Sequence, residues 1–234
     1  NEYASSTRSQ TLTLNNGTLT NDGTIHSMQS GAGGSQRINA DVSQTANGIV
    51  DIDHSFVIRS NAFDGSLGTV DVASGQTLTL EADSSSAVVT LGAASTLVGD
   101  GAIVLSGTQT LNFSSPFELT DTSTTLDLSP SGITITGADF TIGSGGTFTL
   151  TADTVNTVFS NEGSLTVQGN TSNVGGAFAN SGTLAIEGTA GSNVALTVAD
   201  GFTNSGTIRL DNLYSSSTRG QTLTVTDGTL TNDG

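Results

Sequence analysis

FSNEGSL (159–165), FANSGTL (178–184) and FTNSGTI (202–208) are copies of one frame: an apolar residue, any residue, Asn, any residue, Gly, Ser or Thr, then an aliphatic. LTNDGTI (19–25) repeats it, and LTNDG (230–234) starts it again. Successive Asn residues from Asn161 to Asn232 lie 19, 24 and 28 positions apart. Periods of about 20 to 30 residues indicate a solenoid, in which one coil cannot bury its apolar face without a neighbour.

Short alternating runs separate these frames, among them Gln76–Leu80, Ile133–Thr136, Thr147–Leu150 and Ala195–Val198. Alternation at period two puts the aliphatic residues on one face and Thr on the other, as in a half-buried strand. An antiparallel sandwich would also use many short strands and Gly-rich turns. It gives no reason for Asn to recur at one place in an apolar-Asn-Gly-aliphatic frame. Stacked parallel coils do, because equivalent positions then sit about 4.8 Å apart and Asn side chains can bond in a ladder. The expectation is an all-β, right-handed parallel β-helix (β-solenoid) of about nine or ten coils per long repeat. Asn21, Asn161, Asn180, Asn204 and Asn232 are the expected ladder, with Asn161, Asn180 and Asn204 facing inward, and Gly23, Gly163, Gly182 and Gly206 are the turn glycines.

The long repeat appears when the two ends are compared. Residues 1–23 and 212–234 match at 17 of 23 positions without a gap, at an offset of 211 residues. Residues 1–211 therefore read as one solenoid unit and 212–234 as the start of the next, cut from a tandem array, with no linker-like composition between them. Further copies of the same repeat in a parent chain are the expected partners, and the two end copies are expected to superpose.

Composition narrows the function. Only 34% of residues are hydrophobic and 11% charged, while Gly alone contributes 30 of 234, so neither a thick core nor helices are expected. Twenty-one acidic residues against five basic ones give a net charge of −16, which argues against nucleic acid as a partner. There is no Cys and no Lys, which removes disulfides, thiolate metal sites and lysine nucleophiles. No apolar run is long enough to span a membrane as a helix, so no membrane insertion by this segment is expected.

The phrases LTNDGTI, FSNEGSLTV, FANSGTLAI and FTNSGTIRL resemble repeats of filamentous-haemagglutinin-like adhesins and autotransporter passenger domains. The resemblance is strongest over 159–234 and 10–25, weaker over 66–150 and poor over 28–62. It implies a right-handed parallel β-helix, an extracellular place on a bacterial cell surface, and a role in attachment or biofilm. On this reading the segment is a non-catalytic structural shaft of a long adhesin or fibre, with host or environmental glycans or like filaments as outside partners.

Some parallel β-helices act on polysaccharides, so two other readings stand beside the shaft: a carbohydrate-active lyase or hydrolase, and a self-assembling subunit of an extracellular filament or sheath. The best cluster for chemistry is Asp51, Asp53 and His54, followed by Arg59, because carboxylates two apart on a strand share a face and suit acid–base work. Outward acids between Val50 and Ile52 are equally what a solvated strand presents, and fold analogy alone carries no activity. His26 has no nearby acid partner and reads as a surface or turn residue. The acidic composition raises calcium as a cofactor, but no EF-hand loop or Gly-Gly-x-Gly-x-Asp nonapeptide occurs. No cofactor and no metal are therefore expected. Tyr3 and Tyr214 with Arg8 and Arg219 are one repeat position seen twice, and read as a loop covering the solenoid rather than as a glycan site.

Overall fold

A computed structural model describes residues 9–28, 34–120, 124–128, 132–188, 192–213 and 219–234. Tyr3, Arg8 and Tyr214 lie outside the described residues. Among those described there is no helix, and the strand pairs are parallel throughout. The protein is a parallel β-solenoid of about nine turns. It divides into two compact units, one of Asn1–Ser114 and Thr122–Asp127 and one of Ser115–Asp121 and Leu128–Gly234.

In the first unit Phe56–Ser60, Thr77–Ala82 and Ala102–Ser106 stack on one face of the coil. Ala62–Asp64, Ala87–Leu91 and Gln109–Phe113 form a second row, and Thr24–Ser27, Ile49–Ile52, Thr69–Val72 and Thr96–Val98 a third. Period two becomes inside and outside here. Phe56 pairs with Leu78 and Ile58 with Leu80, and these continue to Ile103 and Leu105 as files of buried side chains. Each such aliphatic contributes about 1.5–3 kcal/mol by leaving water. Residues 34–62, within the stretch where the family resemblance is poor, are nonetheless coiled. Ile38, Ala40 and Val42 on Gln36–Gln44, and Val50 and Ile52 on Ile49–Ile52, keep the alternation that burial requires even though the Asn–Gly frame is missing.

In the second unit Thr147–Thr151, Ser164–Gln168, Thr183–Gly188 and Thr207–Asn212 stack in register. Thr154–Val155, Thr171–Val174, Val194–Val198 and Gln221–Val225 form the next row. Phe117–Leu119, Phe140–Ile142, Phe159–Asn161, Phe178–Asn180, Thr203–Asn204 and Thr231–Asn232 complete the coils. Phe148, Leu165 and Leu184 make one buried file, and Leu150, Val167 and Ile186 another.

One corner of this unit is held by a buried acid. Ala152 takes a left-handed φ of 61°, and Asp153 after it is fully buried. Its Oδ1 accepts from the Ile133 amide at 2.9 Å and its Oδ2 from the Thr151 amide at 2.6 Å. Burial pushes the Asp153 pKa up, and the backbone N–H groups it caps pull the other way.

Over the residues described in both, 9–23 and 220–234, the two end copies of the long repeat pair differently. Gln10–Asn21 is one strand whose two halves both pair with Gln36–Gln44, with a register shift between Thr13 and Thr18. The matching Gln221–Val225 and Thr231–Asn232 are separate strands on separate partners, Val194–Val198 and Thr203–Asn204. Over these residues the strand pairing departs from the expected superposition; residues 1–8 and 214–218 lie outside the described residues. Within the described structure each copy has its partner on one side: the first copy on a strand later in the chain, the second on strands earlier in it. A single nine-residue partner keeps the first copy in one strand, and two short partners divide the second.

Candidate functional site

The most ordered polar arrangement is the Asn–Gly corner of the second unit. Asn161, Asn180 and Asn204 occupy paired positions at the ends of their strands and are buried, at 1%, 1% and 2% exposure. Asn161 Nδ2 donates to Asn180 Oδ1 at 2.6 Å, Asn180 Nδ2 to Asn204 Oδ1 at 2.5 Å, and Asn204 Nδ2 to Asn232 Oδ1 at 2.5 Å. The same amides reach backbone carbonyls, as in Asn161 Nδ2 to Thr183 O at 2.9 Å and Asn204 Nδ2 to Gly206 O at 3.0 Å. At the position before Asn161 the strand carries Ile142, which cannot donate, and Asn161 Oδ1 is buried without a partner. Asn180→Ala is expected to cost about 1–3 kcal/mol, because it strands the Asn161 donor and the Asn204 acceptor in a buried site. A urea midpoint unchanged by that substitution would show that the ladder does not hold the corner.

The glycines two places on stack as closely as backbone allows. An added Cβ at Gly163 would lie 2.3 Å from Gly146 O, at Gly182 2.1 Å from Gly163 O, and at Gly206 2.0 Å from Gly182 O. Thr183 N donates to Gly163 O at 2.8 Å and Thr207 N to Gly182 O at 2.8 Å, so these carbonyls are fixed by the coil.

Asn21 and Gly23, in the first unit, depart from the expected set. Asn21 is buried, but its Nδ2 donates to Gln44 Oε1 at 3.3 Å and to Ile49 O at 3.0 Å, because Gln44 stands at the paired position of the next coil. Around Gly23 an added Cβ would meet nothing within 4 Å.

The acidic cluster is also rearranged. Asp51 lies on Ile49–Ile52 and Asp53 just past it, and both face His26 on Thr24–Ser27 rather than His54. His26 Nε2 is 2.9 Å from Asp53 Oδ2 and 3.6 Å from Asp51 Oδ2. The reading of His26 as a residue without an acid partner is thus corrected: Asp51 is 25 positions away in sequence but directly paired with His26 across the coils. The hydrogen bond to Asp53 raises the His26 pKa above 6.5, and the charges of both acids add to the rise against partial desolvation. His54 contributes its carbonyl to Ser27 Oγ at 2.5 Å, while its Nδ1 is buried and unpartnered.

Arg59 stands apart from these acids. It lies on Phe56–Ser60, with Nε 2.7 Å from Asp83 and 3.7 Å from Glu81, and Arg37 also reaches Glu81, at 2.9 Å. These pairs are partly exposed and contribute little to stability. Arg59 and Asp83 border a polar cleft of about 460 Å³ lined also by Asn15, Asn39, Asp41 and Asn61, in which neither Asp51 nor Asp53 takes part. Asp41 is already engaged, its Oδ1 accepting from the amides of Asn61 and Ala62 at 2.9 Å. The carboxylate pair and the arginine proposed to act together therefore belong to different strand rows with different partners.

The fold and these corners define a parallel β-solenoid with stacked asparagine, glycine and phenylalanine files. No protein family, no curated protein and no solved structure matches the chain.

Proposed function

We propose that the chain is a shaft segment of a long, repetitive bacterial cell-surface adhesin or fibre, working outside the cell without catalysis and contributing to attachment or biofilm. A shaft needs length, repetition and a polar register that survives stacking. The observation that carries the reading is the second copy of the 211-residue repeat. Its Gln221–Val225 strand is already laid on Val194–Val198, and its Asn232 is the next rung of the ladder. On this reading Leu210 and Leu213, 54% and 57% exposed, are apolar positions that a stacked coil of the same array would cover. The first copy pairs differently because its neighbour is the single long strand Gln36–Gln44, where the second copy lies on two short ones.

The test is a chain of two tandem 211-residue units viewed by electron microscopy. Coils stacked about 4.8 Å apart should lengthen the particle by roughly 45 Å per added unit. Beads joined by a bend at each junction would overturn the shaft. Deleting repeats from the parent chain should reduce surface attachment while leaving secretion intact, and attachment independent of repeat number would sink the adhesive role. A carbohydrate-active reading draws on the polar cleft beside Arg59 and Asp83, and release of new reducing or unsaturated sugar ends from a polysaccharide would favour it over the shaft.

A further inference from the structure

We propose that His26, Asp51 and Asp53 bind a divalent transition-metal ion of the zinc class on the outer face of the first unit. Parallel stacking makes the site. His26 and Asp51 are register partners on adjacent coils, so their side chains leave the same face, and Asp53 follows two positions on, returning to it. One donor atom from each of the three side chains lies within 4.8 Å of the others. The imidazole nitrogen is 2.9 Å from one carboxylate oxygen and 3.6 Å from the other. Ligands held about 2.0–2.2 Å from a zinc-sized ion stand roughly 3.0–3.5 Å from each other, so small side-chain rotations convert the cluster into a coordination set.

A simple histidine–carboxylate pair would use one acid. Here a second carboxylate crowds the first, and among the described residues both have His26 as their ion-pair partner. Asp71, the register partner of Asp51 on the following coil, extends the acidic column. An ion would relieve that repulsion in a chain carrying a net charge of −16. The donor set also selects among cations. Calcium and magnesium take mainly oxygen ligands, six or more of them for calcium, whereas one imidazole with two carboxylates suits zinc, cobalt or manganese, with water completing the shell. The inference does not depend on the shaft reading.

Isothermal titration of the whole chain with zinc chloride near neutral pH should show saturable binding of a single ion that millimolar calcium does not displace. Cobalt(II) should give a visible ligand-field spectrum on the same protein. His26→Gln and Asp51→Asn should each weaken binding by about tenfold or more, since even outer-shell partners of a metal cost that much. His54→Gln should leave it unchanged. All three variants should keep the unfolding midpoint of the parent, which separates loss of the site from loss of the fold. No saturable binding, or affinity retained in His26→Gln, overturns the site, as does affinity lost in His54→Gln instead.

Discussion

Gly182→Ala is expected to lower stability by about 3 kcal/mol or more, at the upper end of what overpacking costs. The reason is steric and local. The new Cβ would lie 2.1 Å from Gly163 O, 2.7 Å from Glu162 C and 2.8 Å from Gly163 N, all of them backbone atoms that cannot swing aside. To make room the coil must separate from its neighbour, which strains the Thr183 N to Gly163 O bond and pulls Asn180 away from Asn161. Gly182 is not among the glycines with positive φ, so the demand comes from close approach and not from a left-handed backbone. Gly23 supplies the control. It occupies the same place in the frame and also lacks a positive φ, yet an added methyl there meets nothing. Gly23→Ala should therefore fall within about 0.5 kcal/mol of the parent, as ordinary surface substitutions do. Urea unfolding followed by circular dichroism compares the two, and equal tolerance would mean that the coils are not packed as tightly as the stacked carbonyls require. The contrast also bears on the array. Gly234, the second copy of the Gly23 position, would place a Cβ 2.7 Å from Gly206 O. One repeat position is thus open in one copy and closed in the other, according to whether a coil lies against it.

The Asn–Gly frame was legible because each repeated residue answers a demand the neighbouring coil makes at the same height. An amide that both donates and accepts can extend a ladder indefinitely, and only Gly fits where an added Cβ would lie about two ångströms from a carbonyl oxygen. Legibility stopped where pairing, not periodicity, decides. Asp51 is two residues from Asp53 in sequence, but the histidine between them in space is His26, one coil earlier, and only the register Thr24↔Ile49 reveals it. Arg59 likewise finds Glu81 and Asp83 in the next coil rather than the nearer Asp51 and Asp53. Asp153 carried no signal, since a single acid between Ala and Thr reads as a turn until the capped amides of Thr151 and Ile133 are seen. The strand pairing of the end copies was hidden for the same physical reason: near-identical sequence does not fix a strand's partner, and in a solenoid the partner fixes the strand.

Phe159→Ala should cost about 3–5 kcal/mol, the range for emptying a buried aromatic site. Phe159 is fully buried, with its ring 5.3 Å from Phe140 at an interplanar angle of 4° and 5.4 Å from Phe178. It is the middle of a file that runs from Phe117 through Phe140 and Phe178 to Phe202. Removing it takes away transfer free energy, leaves a cavity, and deletes ring contacts on both sides, each worth about 0.5–1.5 kcal/mol beyond area. The flanking coils cannot close the gap, because their spacing is set by parallel strand pairing at Phe159–Asn161 and by the Asn ladder two residues on. Phe159→Leu keeps most of the volume and should cost less than the alanine. Phe178→Ala shares one contact with Phe159, so the double alanine variant should fall short of the sum of the singles by the energy of that ring pair. Guanidinium unfolding of the four variants reads these differences directly. A loss below about 1 kcal/mol for Phe159→Ala, or strict additivity with Phe178→Ala, would mean that the rings merely fill space. The coupling expected here makes the file a continuous brace, in which each coil of the second unit is held by the ones before and after it.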